Sequence, residues 1–436
     1  MKKTILSLAF CATLFAAYAS TPAKEQAAAA VNAVDTLEIT AGKSEAKCGE
    51  KIIFNIKVSG KNAAKCDIVA EIEGNAEIRA KKTLTTDDSG NAKLEIVSNH
   101  PGTVYCYAYP KGKPRKYGNA AGVAVDKEKV VPALPCPVDF NAYWDSIKAS
   151  LNARPMDAIL TPEATVNKSL KGFNIVFPMG GDGKDGNGKL SYPANAKPKS
   201  LPAFLLVHGA GTDKVKLQEE WTTLGGGVLM LSLSPMPVNS KGEVYPAKKG
   251  RFNGYRHWDV DNRDKIFFNL MFQRVYRALQ YLKARPEWDG KTLIVYGSSQ
   301  GGGQALAAGG LDPQITMVVA HVPAICHHGG RARGTDSGWP HYYTTPAYKK
   351  NQKAVLDATS YFDGVNFARN IKTARVLITT GFIDRTCPSE SVFAAFNTVP
   401  TANKKLLCTP TAAHRVPTAI RGQALKAVVD HIKTGR

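Results

Sequence analysis

Residues 297–301 read GSSQG, and Gly-x-Ser-x-Gly is the pattern that carries a serine nucleophile on a sharp turn. The apolar run TLIVYG precedes this pattern, and the small-residue run GGGQALAAGG follows it. The context predicts a strand, a strained turn at Ser299 and a helix packed closely on the strand. The alternative is a serine in an ordinary glycine-rich turn. The chemistry predicted for Ser299 is nucleophilic attack on a carbonyl carbon.

A serine hydroxyl needs a base, and on such elbows an acidic residue and then a histidine follow the serine in chain order. Asp384 follows the apolar run ARVLITTGFI, and His414 follows KKLLCTPTAA. Taken singly, Asp384 is typical of a helix cap and His414 of a surface loop. Taken together and in this order, they predict a triad in which His414 accepts the Ser299 proton and Asp384 orients the imidazole.

A tetrahedral intermediate formed at the attacked carbonyl also needs backbone donors for its oxyanion. The backbone N–H of Gln300, the residue after the serine, is predicted to be one donor. The second is predicted at Ala210, in the segment LLVHGAG that ends another apolar run. His208 in the same segment is interpreted as a structural turn residue.

The N-terminus has the features of a secretory signal peptide. Lys2 and Lys3 precede an apolar stretch over 5–17, and Ala17-Tyr18-Ala19 is a small-x-small ending. We expect a signal peptide over 1–19, no stable insertion in a membrane, and export to the periplasm or the extracellular space. The stretch is shorter than the roughly 20 residues of a membrane-spanning helix.

A second pattern begins after an Ala-rich flexible leader over 20–34. Short segments such as IIFNIKVSG alternate apolar and polar residues and are separated by Gly, Asn and Asp. This pattern predicts a small all-β, immunoglobulin-like sandwich over 35–127. The proline-containing run EKVVPALPC predicts a linker over 128–136.

In the remaining part of the chain, 137–436, strands and helices alternate. Apolar runs such as AFLLVH and TLIVYG are separated by DKIFFNLMFQRVYRALQYLKAR, whose apolar residues follow helical spacing. Alternation of this kind predicts an α/β domain with a mostly parallel sheet flanked by helices.

Composition excludes some function classes. The formal net charge is +21, which we interpret as a solvated basic surface, with an acidic partner such as a uronic-acid-bearing polysaccharide as the alternative. No basic run is interleaved with aromatic residues, so nucleic-acid binding is not predicted. Seven cysteines follow the predicted signal peptide, an odd number without a Cys-x-x-Cys pair. No zinc site is indicated, and pairing among Cys48, Cys66 and Cys106 stays open.

Three stretches resemble one known family. CPVDFNAYWDSIKASL, GSSQGGGQALAAGGLDP and GFIDRTCPSESVFAAFN are similar to segments of the acetyl xylan esterase and cephalosporin C deacetylase family of α/β-hydrolases. The resemblance covers most of 137–436. It implies an α/β-hydrolase fold, no cofactor, and removal of acetyl groups from sugar hydroxyls in a small acyl pocket. The residues that it implies for the triad and the oxyanion hole are those named above: Ser299, Asp384, His414, Ala210 and Gln300.

The chain departs from that family in two places. It has no Arg-Gly-Gln motif after VLMLSLSPMP, so the family's assembly is not implied and the oligomeric state stays open. The segment HVPAICHHGGRARGTDSGWPHYY, in a region that covers the active site in relatives, is also unusual. Candidate substrate-binding residues there are His327, His328, Arg331, Arg333, Trp339 and Tyr342. The alternative for all six is packing or surface. Neighbouring histidine side chains diverge and lack a carboxylate or thiol at ligand spacing, so no metal is expected.

These patterns together predict an exported serine esterase that deacetylates a polysaccharide or oligosaccharide through an acyl-enzyme. Two alternative enzymes on the same fold are a feruloyl-type esterase and a serine peptidase. An inactive carbohydrate-binding protein is the alternative from another class.

Overall fold

The computed structural model describes residues 36–74, 78–115, 118–179, 185–211, 215–237 and 254–435. The predicted signal peptide and flexible leader lie outside the described residues. No helix within the described residues is both long and apolar enough to cross a membrane.

The chain divides into two compact units. The first consists of the described residues up to Lys129 together with two short segments from the C-terminal part, Gly381–Ile383 and Thr409–Lys426. The second consists of Val130–Thr380, Asp384–Cys408 and Ala427–Arg436. The segments that carry Asp384 and His414 are therefore assigned to different units.

Eight strands lie in the described part of the first unit. They are β1 (Thr36–Ala41), β2 (Glu45–Ala46), β3 (Lys51–Ser59), β4 (Asp67–Gly74), β5 (Ile78–Thr85), β6 (Asn91–Val97), β7 (Gly102–Pro110) and β8 (Asn119–Val125). They form a three-stranded sheet in the order β1-β3-β6 and a five-stranded sheet in the order β2-β8-β7-β4-β5. Apart from the short parallel pair β2–β8, the neighbouring strands of these sheets are antiparallel.

Alternating side chains explain this two-sheet arrangement. In β3, Phe54, Ile56 and Val58 are buried, whereas the residues between them are exposed or half-buried. They share one hydrophobic core with residues of the other sheet, including Val104 and Cys106. Two sheets around one core form a β-sandwich, compatible with the predicted class. Cys48, Cys106, Cys136, Cys326 and Cys387 are free thiols.

The second unit contains a nine-stranded sheet. Its strands are β9 (Ile159–Glu163), β10 (Leu170–Phe177), β11 (Gly186–Pro193), β12 (Leu201–Val207), β13 (Leu229–Leu233), β14 (Trp288–Ser298), β15 (Met317–His321), β16 (Arg375–Gly381) and β17 (Lys404–Thr409). Their spatial order is β17-β16-β15-β14-β12-β13-β11-β10-β9.

The central strands of this sheet are parallel. Strand β12 pairs with β13 and β14, and β14, β15 and β16 follow one another in parallel. Strands β9, β10 and β11 continue the sheet as antiparallel pairs. The parallel strands are almost continuously apolar and buried, because a parallel sheet is covered on both faces. The predicted α/β fold class is confirmed.

Helices follow these strands along the chain. The α-helices are α1 (Phe140–Asn152), α2 (Glu219–Thr222), α3 (Phe267–Ala284), α4 (Gln300–Leu311), α5 (Pro346–Lys350), α6 (Gln352–Ser360), α7 (Gly364–Ala368), α8 (Ser389–Thr398) and α9 (Thr418–Thr434). Short 3-10 turns lie at Lys127–Lys129, Leu224–Gly226, Tyr255–His257, Gly330–Arg333 and Tyr342–Thr344. Helix α3 is the helix predicted from apolar spacing. Phe268, Met271 and Phe272 on its apolar face are buried in the core of this unit.

Candidate active site

Ser299 lies on a strained turn between a strand and a helix. Strand β14 ends at Ser298, helix α4 begins at Gln300, and the residue between them has φ 59° and ψ −122°. A non-glycine residue in this region costs about 1–3 kcal/mol and persists only where the surroundings impose it. Here the Ser299 N–H donates to the His321 carbonyl at 2.9 Å, and its own carbonyl accepts from Ala324 at 2.9 Å. This backbone geometry is the one expected of a nucleophile elbow.

The two glycines of the motif are required by close approach of the backbone. A Cβ on Gly297 would lie 2.2 Å from the Gly301 carbonyl oxygen. A Cβ on Gly301 would lie 2.4 Å from the carbonyl oxygen of Val207, at the end of β12. Any side chain at either position would push α4 away from the sheet and disturb the turn.

The loop with the predicted second oxyanion donor runs beside the serine. A Cβ on Gly209 would lie 3.9 Å from the Cβ of Ser299, and Ala210 follows as an exposed residue. The Gln304 side chain, one turn along α4, donates to the His208 carbonyl at 2.9 Å. Helix α4 therefore fixes the start of this loop as well as the Gln300 amide.

The His208 ring has a structural role. Its Nε2 lies 2.7 Å from the Ser232 hydroxyl, on the neighbouring strand β13. Burial lowers the pKa of His208 to about 4, so the ring is neutral near pH 7. A neutral ring that bonds a serine of the sheet anchors the loop.

Tyr255 connects the two segments that carry the predicted donors. Its hydroxyl donates to the side-chain oxygen of Gln300 at 2.6 Å, and both side chains are buried. Burial raises the pKa of Tyr255 to about 12, against the opposing effects of a hydrogen bond from the Gly211 backbone N–H, the charge of Arg256 and the hydrogen bond to Gln300. One hydroxyl thus bonds the residue after Ala210 on one side and Gln300 on the other.

Asp384 is buried in the loop between β16 and α8. Its Oδ1 accepts from the backbone N–H groups of Thr386 and Cys387 at 2.8 and 2.9 Å. These bonds fix the carboxylate. Burial raises the pKa of the Cys387 thiol well above its ordinary value.

His414 is half-buried in the loop between β17 and α9. Within the first unit, the Ile383 N–H donates to the Ala412 carbonyl at 3.1 Å, and the Phe382 N–H donates to the Thr409 carbonyl at 3.1 Å. The residues that directly precede Asp384 are therefore bonded to the residues that precede His414.

Two of the six candidate substrate-binding residues, His327 and His328, are hydrogen-bonded to the buried carboxylate of Asp363. The backbone N–H groups of His327 and His328 donate to the two oxygens of Asp363, each at 2.8 Å. The side chains of both histidines are also buried, with ring nitrogens 3.0 Å from the Thr335 hydroxyl and 3.2 Å from the Thr359 carbonyl. These contacts favour packing, the alternative considered for this segment.

Tyr342 and Arg331 are also engaged with protein groups. The Tyr342 ring is buried and packs edge-on against His328, with centroids 4.8 Å apart. Arg331 is half-buried, pairs with Asp336 at 2.5 Å and lies over the Tyr343 ring.

Arg333 and Trp339 are more accessible. Arg333 is exposed and lines a cleft of about 830 Å³ together with Lys353 and Tyr361. Trp339 is half-buried, and its backbone N–H donates to the carbonyl of Thr386, in the loop of Asp384, at 3.0 Å. Substrate contact through these two residues stays a prediction.

Two residues of the site have no counterpart in the sequence prediction. Gln304 follows Gln300 at i+4, so a helix starting at Gln300 places both on one face; that spacing is a usable signal. Tyr255 has no such signal, because no motif links it to the serine or to Ala210.

Comparisons with known proteins identify the family of the chain. Residues 127–429 match the model of the acetyl xylan esterase (AXE1) family. The chain is 30% identical over 308 residues to acetyl esterase Axe7A of Xylanibacter ruminicola, which covers 69% of this chain and 68% of that protein.

Solved structures share the fold. The acetyl xylan esterase from Paenibacillus sp. R4 superposes with a TM-score of 0.60 at 26% identity, covering 70% of this chain and 98% of that chain. Acetyl xylan esterase 1 from Thermoanaerobacterium sp. JW/SL YS485 superposes with a TM-score of 0.58 at 21% identity, covering 70% and 97%. The second likeness concerns the fold alone.

Proposed function

From the premise that the chain belongs to the acetyl xylan esterase family and is a carboxylic ester hydrolase, we propose that it is an exported serine esterase for acetylated polysaccharide or oligosaccharide. The observation that carries the proposal is the strained turn at Ser299, with the loop of Ala210 beside it. Strain at one serine, imposed by glycines that admit no side chain, is the arrangement expected for an exposed nucleophile.

In the proposed first step, His414 accepts the proton of the Ser299 hydroxyl as the oxygen attacks the acetyl carbonyl carbon. The backbone N–H groups of Ala210 and Gln300 donate to the oxygen that becomes negative. His414 then returns the proton to the sugar oxygen, the C–O bond breaks, and acetyl remains on Ser299. Asp384 orients the imidazole and stabilises its cation.

In the second step, water attacks the acetyl-enzyme. His414 accepts a proton from the water and returns it to Ser299 as acetate leaves. No cofactor enters either step. The carboxylate of Asp384 is buried and accepts two backbone hydrogen bonds. This fixed position supports its proposed role in orienting the His414 imidazole.

The test uses two adjacent serines. Ser299→Ala is expected to abolish hydrolysis of p-nitrophenyl acetate and release of acetate from acetylated xylan. Ser298→Ala is the matched control, since it removes the same hydroxyl from the neighbouring exposed residue and is expected to retain activity. Mass spectrometry of the rapidly quenched wild type is expected to find acetyl on Ser299. Turnover that survives Ser299→Ala would refute the proposal.

Substrate comparison separates this function from its alternatives. Acetate esters are expected to be cleaved much faster than octanoate esters, methyl ferulate or a peptide amide. Preference for ferulate or for the amide would establish one of the other enzymes. Binding of xylan without any turnover would indicate the carbohydrate-binding protein.

Export is tested on the expressed full chain. We propose cleavage after Ala19 and a periplasmic or extracellular location, from the pattern of residues 1–19. Cell fractionation and N-terminal sequencing of the recovered protein are expected to find residue 20 first. An uncleaved N-terminus in the cytosolic fraction would refute this part.

A further inference from the structure

Strand β8 differs from a typical strand of a β-sandwich because both of its faces are buried. Every residue from Ala120 to Val125 is buried, whereas β3 alternates between buried and more exposed residues. Successive side chains point to opposite faces. Val123 and Val125 belong to the sandwich core, so Gly122 and its neighbours at i±2 lie on the outer face.

Two short segments cover the outer face at Gly122, and both belong to the same compact unit. The Gly122 N–H donates to the Pro410 carbonyl at 2.9 Å. A Cβ on Gly122 would lie 2.5 Å from the Cβ of Phe382 and 3.3 Å from that of Tyr105. The missing side chain lets the Phe382 backbone approach the strand.

These are the segments that precede the proposed acid and base. Phe382 and Ile383 directly precede Asp384, and Pro410 lies four residues before His414. The two segments are bonded to each other through Ile383 and Ala412, as described above. Gly122 therefore contacts both members of one hydrogen-bonded pair of segments.

We propose that strand β8 of the β-sandwich positions the two segments that lead to Asp384 and His414, with Gly122 as the positioning residue. The β-sandwich thereby contributes to catalysis by the esterase. This inference rests on the function proposed above. A shift of about 1 Å in a reacting group can cost roughly 10²-fold in rate. The sandwich thus influences the rate of the chemical step. Its role is more than that of a glycan-binding module or a spacer.

The decisive variant is Gly122→Ala in the full chain. Gly122 is not among the residues with positive φ, so alanine adds a collision without a change in backbone preference. Gly42→Ala is the matched control in the same unit, since its new methyl would have no neighbour closer than 3.7 Å. We expect Gly122→Ala to lower kcat for p-nitrophenyl acetate about 10- to 100-fold with KM within about twofold. Gly42→Ala is expected to match the wild type.

Two further readouts separate positioning from simple loss of stability. The rate at which a fluorophosphonate labels Ser299 should fall in Gly122→Ala in proportion to kcat, in samples shown by circular dichroism to be folded. The pH dependence of kcat/KM should also shift, since His414 would have altered surroundings. If Gly122→Ala does not fold, Phe382→Leu decides; it keeps the Cβ that faces Gly122 but replaces the buried ring of the segment before Asp384, and should lower kcat several-fold with KM unchanged.

Kinetics and a pH profile for Gly122→Ala identical to those of Gly42→Ala would overturn the inference, as would a wild-type kcat in Phe382→Leu when Gly122→Ala is unfolded. Failure of the proposed function is distinguishable, because Ser299→Ala would then stay active whatever the result at Gly122.

Discussion

Tyr255→Phe removes one hydroxyl and tests whether Tyr255 positions Gln300 and the loop of Ala210, the two segments that carry the predicted oxyanion donors. The variant keeps the buried ring but loses the donor to the Gln300 side chain, at 2.6 Å, and the acceptor for the Gly211 N–H. The side-chain nitrogen of Gln300 has no hydrogen-bond partner within the described residues, so its oxygen holds the only bond of this side chain there. Gln300 and the loop of Ala210 would be freed together.

The expected magnitude follows from these contacts. A buried acceptor without a partner costs about 1–3 kcal/mol, which sets the expected loss in the free energy of unfolding. Deleting an oxyanion donor outright costs about 10²–10³ in kcat. Tyr255→Phe leaves both backbone donors present and only loosens them, so we expect a smaller loss of roughly tenfold, or about 1.4 kcal/mol.

The assay compares kcat and KM for p-nitrophenyl acetate, together with urea unfolding, in Tyr255→Phe and Tyr276→Phe. Tyr276 is a buried tyrosine of α3 whose hydroxyl donates to Asn152 at 3.1 Å, so its variant loses a comparable bond elsewhere in the same unit. Equal kcat in the two variants would refute the positioning role of Tyr255.

Three further outcomes are expected. Gly301→Ala should lower the free energy of unfolding by about 1–3 kcal/mol, because its methyl would lie 2.4 Å from the Val207 carbonyl oxygen; urea unfolding measures this. Burial lowers the pKa of His327 from 6.5 to about 4, so its contribution to stability is complete above about pH 6.5 and is lost as the pH falls towards 4. His327→Gln should therefore flatten the pH dependence of unfolding over that window. Burial raises the pKa of the Cys326 and Cys387 thiols well above their ordinary values, so both should resist iodoacetamide until the protein unfolds, as followed by peptide mass spectrometry.

Each of these outcomes has a control. Gly42→Ala should unfold like the wild type, so an equal loss there would contradict the packing argument for Gly301. A wild-type pH dependence in His327→Gln would contradict the assignment to that ring. The half-buried Cys136 and Cys408 should be alkylated first, and equal rates at Cys326 would contradict the burial argument.

The elbow could be predicted because its physics is local. An apolar strand, a serine between glycines and a small-residue helix dictate the turn at Ser299 within about twenty residues, and the observed φ of 59° agrees. Helix α3 could also be predicted, because a helix that buries one face has its apolar residues at helical spacing.

The elements and residues that could not be predicted from the sequence depend on contacts between distant segments. Strand β8, NAAGVAV, lacks the alternation that identified the other strands, because its outer face is buried as well. Strand β5, IRAKKTLT, carries charges typical of a sheet edge and gave no apolar run. Tyr255 and the Asp363 carboxylate that bonds His327 and His328 act through tertiary hydrogen bonds, which leave no periodic trace in the sequence.

The make-up of the first unit also has a consequence for the order of folding. Strands β1–β8 are synthesised first, but their unit is complete only with residues 381–383 and 409–426 from near the opposite terminus. Contacts of such long sequence separation form late, because the intervening chain must be ordered before they can close. Until then the small apolar face of β8 is open to other chains. A partly synthesised or truncated chain is therefore expected to be more prone to aggregation than the finished protein.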